Sequence, residues 1–123
     1  MIRRAWLVAL GASLCGGAGL AFAAPSAREQ ALIDRLIGFV EQQRGAVFIR
    51  NGTEHSCADA AKFLRGKMDS MGDDVTTARE FVDRIASKSS MTGEAYRVKF
   101  ADGRVLTAAK FLLDELARLE PPR

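Results

Sequence analysis

Two dipeptides constrain this chain more than any other feature. Asn51-Gly52 follows the run Val47-Phe48-Ile49, and Asp102-Gly103 follows the segment Tyr96 to Ala101. Asn-Gly and Asp-Gly tolerate the positive φ angles of a tight turn, so each predicts two adjacent antiparallel strands. The first return strand, Thr53 to His55, is short and polar. In the second hairpin Tyr96, Val98 and Phe100 share one face, and Arg97 and Lys99 share the other. A two-residue turn at Asp102-Gly103 sets Phe100 opposite Val105 and Ala101 opposite Arg104. Arg104 then joins Arg97 and Lys99 on the outward face.

Helices occupy the sequence around these hairpins. Ser26 and Glu29 form a capping box ahead of Leu32, Ile33, Leu36, Ile37, Phe39 and Val40, with Gly45 as the stop. Ser56 caps a second helix whose stripe is Cys57, Ala61, Leu64, Met68 and Met71, ended by Gly72. Thr77 and Glu80 form another capping box, before Ala78, Phe81, Val82 and Ile85. Ser87 to Gly93 reads as a loop. Thr107 caps the last helix, with Ala108, Phe111, Leu112, Glu115 and Leu119 in line and Leu116 beside them. The fold class is α+β: four helices with two short antiparallel β-hairpins, in the order α-ββ-α-α-ββ-α. No βαβ alternation suggests a parallel sheet. Local pattern leaves open whether the hairpins join in one sheet.

The first 23 residues read as a cleaved signal peptide. Arg3 and Arg4 precede an uncharged run from Ala5 to Phe22, which ends in Ala21-Phe22-Ala23. That small-x-small triplet places the cut between Ala23 and Ala24. Four glycines weaken the run as a membrane helix, and Leu14 ahead of Cys15 argues against lipid attachment. Residues 24–119 then form one domain, and 120–123 a disordered tail. Loss of the leader takes 18 basic residues to 16 against 15 acidic ones, and net charge from +3 to +1. The pI near 9.2 therefore belongs largely to the leader and is no nucleic-acid footprint. Cys57 is left as a lone cysteine without an intrachain disulfide, and no transmembrane segment follows the leader.

Two blocks of residues carry a resemblance. One is Phe48-Ile49-Arg50-Asn51-Gly52 with His55-Ser56-Cys57, Ala61, Leu64-Arg65 and Lys67. The other is Thr77-Ala78, Glu80-Phe81, Ser89-Ser90-Met91-Thr92-Gly93 and Tyr96. Together they resemble the YfeK-like small exported proteins of Gram-negative bacteria, a family built on a domain of unknown function. The resemblance spans about Leu32 to Phe111. It implies a periplasmic location and supplies no activity, ligand or catalytic residue. The family pattern often has a tryptophan near the start of the final helix, where this chain has Phe111.

The chemistry available is sparse. A single histidine excludes a multi-histidine metal centre. C-x-x-C, H-E-x-x-H, G-x-S-x-G and S-x-x-K are all absent, and the glycine cluster Gly16-Gly17-Ala18-Gly19 lies in the leader. Met68, Met71, Met91, Cys57 and His55 are soft enough for copper(I), yet core packing accounts for most of them. Cys57 at a helix N-terminus beside His55 is a candidate thiol site, because the helix dipole favours a thiolate and an imidazole can take the proton. Its place on an apolar stripe argues instead for a small buried hydrophobe. Arg50 and Asn51 at the first hairpin tip, with Arg97, Lys99 and Arg104 on the second, form a candidate ligand-binding set suited to carboxylate or phosphate groups. These residues predict a non-enzymatic periplasmic binding or interaction module without metal or cofactor. Its partner is then an anionic envelope component or another periplasmic protein. The alternative is a small thiol-dependent enzyme or redox protein centred on Cys57 and His55.

Overall fold

The computed structural model describes residues 24–120; the leader and residues 121–123 lie outside the described residues. Helix α1 spans Ala27–Glu41, strand β1 Val47–Arg50, strand β2 Thr53–Ser56 and helix α2 Cys57–Met71. Helix α3 begins as an α-turn at Ala78–Phe81 and widens to π geometry over Val82–Ala86. Strand β3 is Arg97–Lys99, strand β4 Val105–Thr107, and helix α4 Ala108–Leu119. This is the α+β order read from the sequence.

The capping residues explain where the helices start. Hydroxyls of Ser26, Ser56, Thr77 and Thr107 accept from the backbone N–H groups of Glu29, Asp59, Glu80 and Lys110. Only half of each expected capping box forms. The Glu29 carboxylate accepts from Ala78 N–H at 2.8 Å, so it caps α3 rather than its own helix. Glu80 accepts from the backbone N–H and the hydroxyl of Thr76 at 2.8 and 2.9 Å.

The two hairpins join into one antiparallel sheet in the order β2-β1-β3-β4. Phe48 lies opposite His55 on β2 and Val98 on β3, and Val98 lies opposite Leu106 on β4. Residues opposite one another share a face, so these four side chains look towards the helices. Asn51 (φ 52°) and Gly52 (φ 78°) make the expected two-residue turn.

The second turn differs from expectation. Phe100 N–H donates to the Arg104 carbonyl, and Lys99 pairs with Val105. Three residues, Ala101 to Gly103, therefore form the loop, with Gly103 in the left-handed region at φ 92°. One extra loop residue shifts the return strand by one and turns every side chain over. Val105 is thus outward and 47% exposed. Arg104 leaves the outward set and lays its guanidinium 4.8 Å from the Phe100 ring centroid.

The core lies between the inner sheet face and the helices. Ile33, Leu36, Ile37 and Val40 of α1, Leu64 of α2, Phe81, Val82 and Ile85 of α3, and Leu112 and Leu116 of α4 are all buried. Burial of this apolar stripe from each helix is the main term that offsets chain ordering. The α2 stripe departs from the sequence reading at its far end. Met68 is half-buried and Met71 is 51% exposed, while Lys67 is buried at 7%. Met71 is the last residue of α2, and the loop carrying Lys88 and the entry to β3 at Tyr96 covers Lys67 instead.

Candidate functional site

Of the three basic residues expected on the outward face, two are paired with their own neighbours and one of those two has left that face. Lys99 pairs with Glu54 at 2.9 Å and Arg104 with Asp102 at 3.0 Å. Arg97 is exposed on that face. Such surface pairs are screened and contribute little to stability. Arg50 is elsewhere. Two residues on from Phe48, it shares the inward face, and its guanidinium stacks 4.2 Å from the Phe63 ring centroid. The five candidate ligand-binding residues therefore divide: Arg50 and Asn51 meet at one cleft, and Arg97, Lys99 and Arg104 are not part of it.

That cleft has a volume of about 410 Å³ and lies between the end of α2, the β1–β2 turn and the loop before β3. Lys67 reaches into it from α2. Its Nζ donates to the Lys88 carbonyl at 2.9 Å and to the Tyr96 hydroxyl at 3.1 Å. An ammonium has three donors, so one remains for a ligand. The charge also sits 5.0 Å from the Tyr96 ring centroid and 5.9 Å from that of Phe63, where the π faces attract it. Burial pushes the Lys67 pKa down, and the nearby Arg50 charge pushes the same way. Tyr96 is 1% exposed, and its ring packs on Phe48 and edge-on against Phe63. Burial raises its phenol pKa, with Arg50 acting in the opposite sense.

The loop that completes the cleft is held by Asn51 and Ser89. The Ser89 hydroxyl accepts from the N–H groups of Met91 and Thr92, both at 3.2 Å, and from Asn51 Nδ2 at 3.4 Å. The Thr92 hydroxyl donates to Asn51 Oδ1 at 2.7 Å. Asn51 thus sets the hairpin turn and fastens the loop across 38 residues of sequence. No lining residue carries a carboxylate. Among the described residues neither Arg50 nor Lys67 is in an ion pair. Two cations are therefore brought together with neutral partners only, which favours an incoming anion.

Sequence reasoning missed Lys67 and Phe63 as site residues, and read Tyr96 only as a strand residue. A signal for Lys67 was present: it falls three residues beyond Leu64, on the flank of the α2 stripe, where a lysine is out of place.

Cys57 is placed at the first position of α2 and is 3% exposed. Its Sγ donates to the Ala46 carbonyl at 3.6 Å, not to His55. Burial raises the thiol pKa, the reverse of what an activated cysteine needs. His55 lies on β2, half-buried and opposite Phe48. The copper(I) set does not assemble: Met71 is fourteen residues beyond Cys57 on one helix, about 21 Å along its axis. Among the described residues no cluster of three or more His, Cys, Asp or Glu could hold a metal ion.

The fold and cleft define a small α+β domain with a cationic, acid-free pocket between the end of α2, the β1–β2 turn and the loop before β3. The chain belongs to a family of unknown function, DUF5329, whose model matches residues 27–120. It is 38% identical over 76 residues to the uncharacterized protein YfeK of Salmonella typhimurium, a match that covers 62% of this chain and 63% of that relative. The chain thus spans less than two thirds of the curated relative it matches. No solved structure matches it. No described helix is long and apolar enough to cross a membrane.

Proposed function

We propose that this chain is an exported, non-enzymatic binding module of the cell envelope, which takes an anionic group of its ligand between Arg50 and Lys67. The observation that carries this reading is the cleft's charge: a buried lysine and a stacked arginine with no carboxylate among the lining residues. A bound carboxylate or phosphate relieves the repulsion between them and takes the remaining donor of Lys67. Asn51 supports the site by fixing the loop through Ser89 and Thr92. Export to the periplasm, with cleavage between Ala23 and Ala24, is supported by the Arg3-Arg4 start, the uncharged run and the Ala21-Phe22-Ala23 triplet. The thiol alternative has no comparable support, because Cys57 faces a backbone carbonyl in the core.

Amide chemical shifts of the isotope-labelled protein, followed during titration with acetate and with inorganic phosphate at low salt, test the reading. Saturable millimolar binding localised to Arg50, Lys67 and the Ser89–Thr92 loop is expected, and Arg50→Gln should abolish it. Shifts scattered over the surface, or unchanged in that variant, would refute it.

A further inference from the structure

The walls of the cleft are as distinctive as its charge. Met71 is 51% exposed and Met91 is 93% exposed. With Val105 they make up the exposed large hydrophobic side chains among the described residues, and both line this one cleft. The Ser90 hydroxyl donates to Met71 Sδ at 3.8 Å, which brings the two sides of the rim together. Phe63, Lys67 and Met71 fall on successive turns of α2, so Lys67 stands between the Phe63–Arg50 end of the cleft and the methionine rim. A bare phosphate or acetate would occupy the cationic end and leave the methionines in water. Methionine side chains are flexible and polarizable, and suit a surface that must adapt to an alkyl chain.

Building on the anion-binding reading, we propose that the ligand is an amphiphilic anion, with a carboxylate or phosphate head on a single apolar chain. The head lies between Arg50 and Lys67, beside Phe63, and the chain leaves past Lys67 towards Met71 and Met91. Charge complementarity fixes the polar end, and the exposed methionines fix the direction of the tail. The cleft volume of about 410 Å³ falls in the range of small-molecule sites. It holds one short to medium alkyl chain, not a folded partner.

Calorimetric titration of the protein with acetate, hexanoate, octanoate and decanoate, and with the matching alkyl phosphates, tests this below the micelle threshold. Affinity should rise roughly three- to fourfold for each methylene that finds apolar lining, then level off once the cleft is full. The two series distinguish a fatty-acid-like head from a phosphate head. Met71→Ser combined with Met91→Ser should flatten the dependence on chain length and leave acetate binding intact. Arg50→Gln should weaken every member of both series by about tenfold or more. Affinity independent of chain length, with short anions still bound, would overturn the amphiphile and leave the anion site standing. Decanol binding as well as decanoate, or no binding of any anion, would overturn both.

Discussion

Labelling of the Cys57 thiol gives the sharpest test of how the domain is packed. The side chain is 3% exposed and donates to the Ala46 carbonyl, so a reagent reaches it only after the start of α2 opens. Domains of this size are stable by about 5–15 kcal/mol, and local openings cost a fraction of that. An opening of about 2–3 kcal/mol already slows labelling about 30- to 150-fold relative to the unfolded chain. The assay compares the rate with a chromogenic disulfide reagent in buffer and in denaturant, using protein that lacks Cys15 through leader removal or Cys15→Ser. Cys57→Ala should cost about 1 kcal/mol through lost packing. Cys57→Asp should fold poorly, since it buries a carboxylate against a carbonyl oxygen. The pH dependence has a definite sign. Because the folded thiol pKa is raised, its contribution is full below the ordinary value near 8.5 and is lost as pH rises through the folded value. Tyr96 acts in the same direction at higher pH. Lys67 acts in the opposite one, because the unfolded chain holds its proton longer. Comparison of wild type with Cys57→Ala isolates the thiol, and the variant should show the shallower alkaline decline. Native labelling within tenfold of the unfolded rate would refute the buried assignment and revive the thiol enzyme, with His55 the next residue to replace.

Gly72→Ala should destabilise by about 1–3 kcal/mol in denaturant melts, because a Cβ there would lie 2.5 Å from the Met68 carbonyl oxygen. Gly38→Ala, with open space around it on α1, should instead stabilise by about 0.5–1 kcal/mol. Glu80 holds its carboxyl below the usual range by accepting from the Thr76 N–H and hydroxyl. Its stabilisation is therefore present above the ordinary pKa near 4.3 and lost as pH falls through the lower folded value, and Glu80→Gln should flatten the acid limb of thermal melts. Reversal of Arg97, Lys99 and Arg104 to glutamate should leave the fold intact by circular dichroism, since each disrupted surface pair contributes at most about 1 kcal/mol. The same variant should keep acetate binding at the cleft; its loss would return those three residues to the site.

Short-range chemistry made much of this fold legible. Ser26, Ser56, Thr77 and Thr107 cap helices because a hydroxyl three residues ahead of an N–H is a local geometry, and Asn51-Gly52 turns the chain for the same reason. The sequence by itself thus determined the element order and the four amphipathic helices. Tertiary structure decided what local pattern could not reach. Pairing of β1 with β3 joined the hairpins, and one extra residue in the second turn took Arg104 away from Arg97 and Lys99. Glu29 reached across 49 residues to cap α3 because that helix start lay open beside it. Lys67 became the centre of the cleft through Lys88 and Tyr96, 21 and 29 residues away. The physical reason is range. Caps and turns are settled within about four residues, whereas burial of a charge depends on which distant segment closes over it.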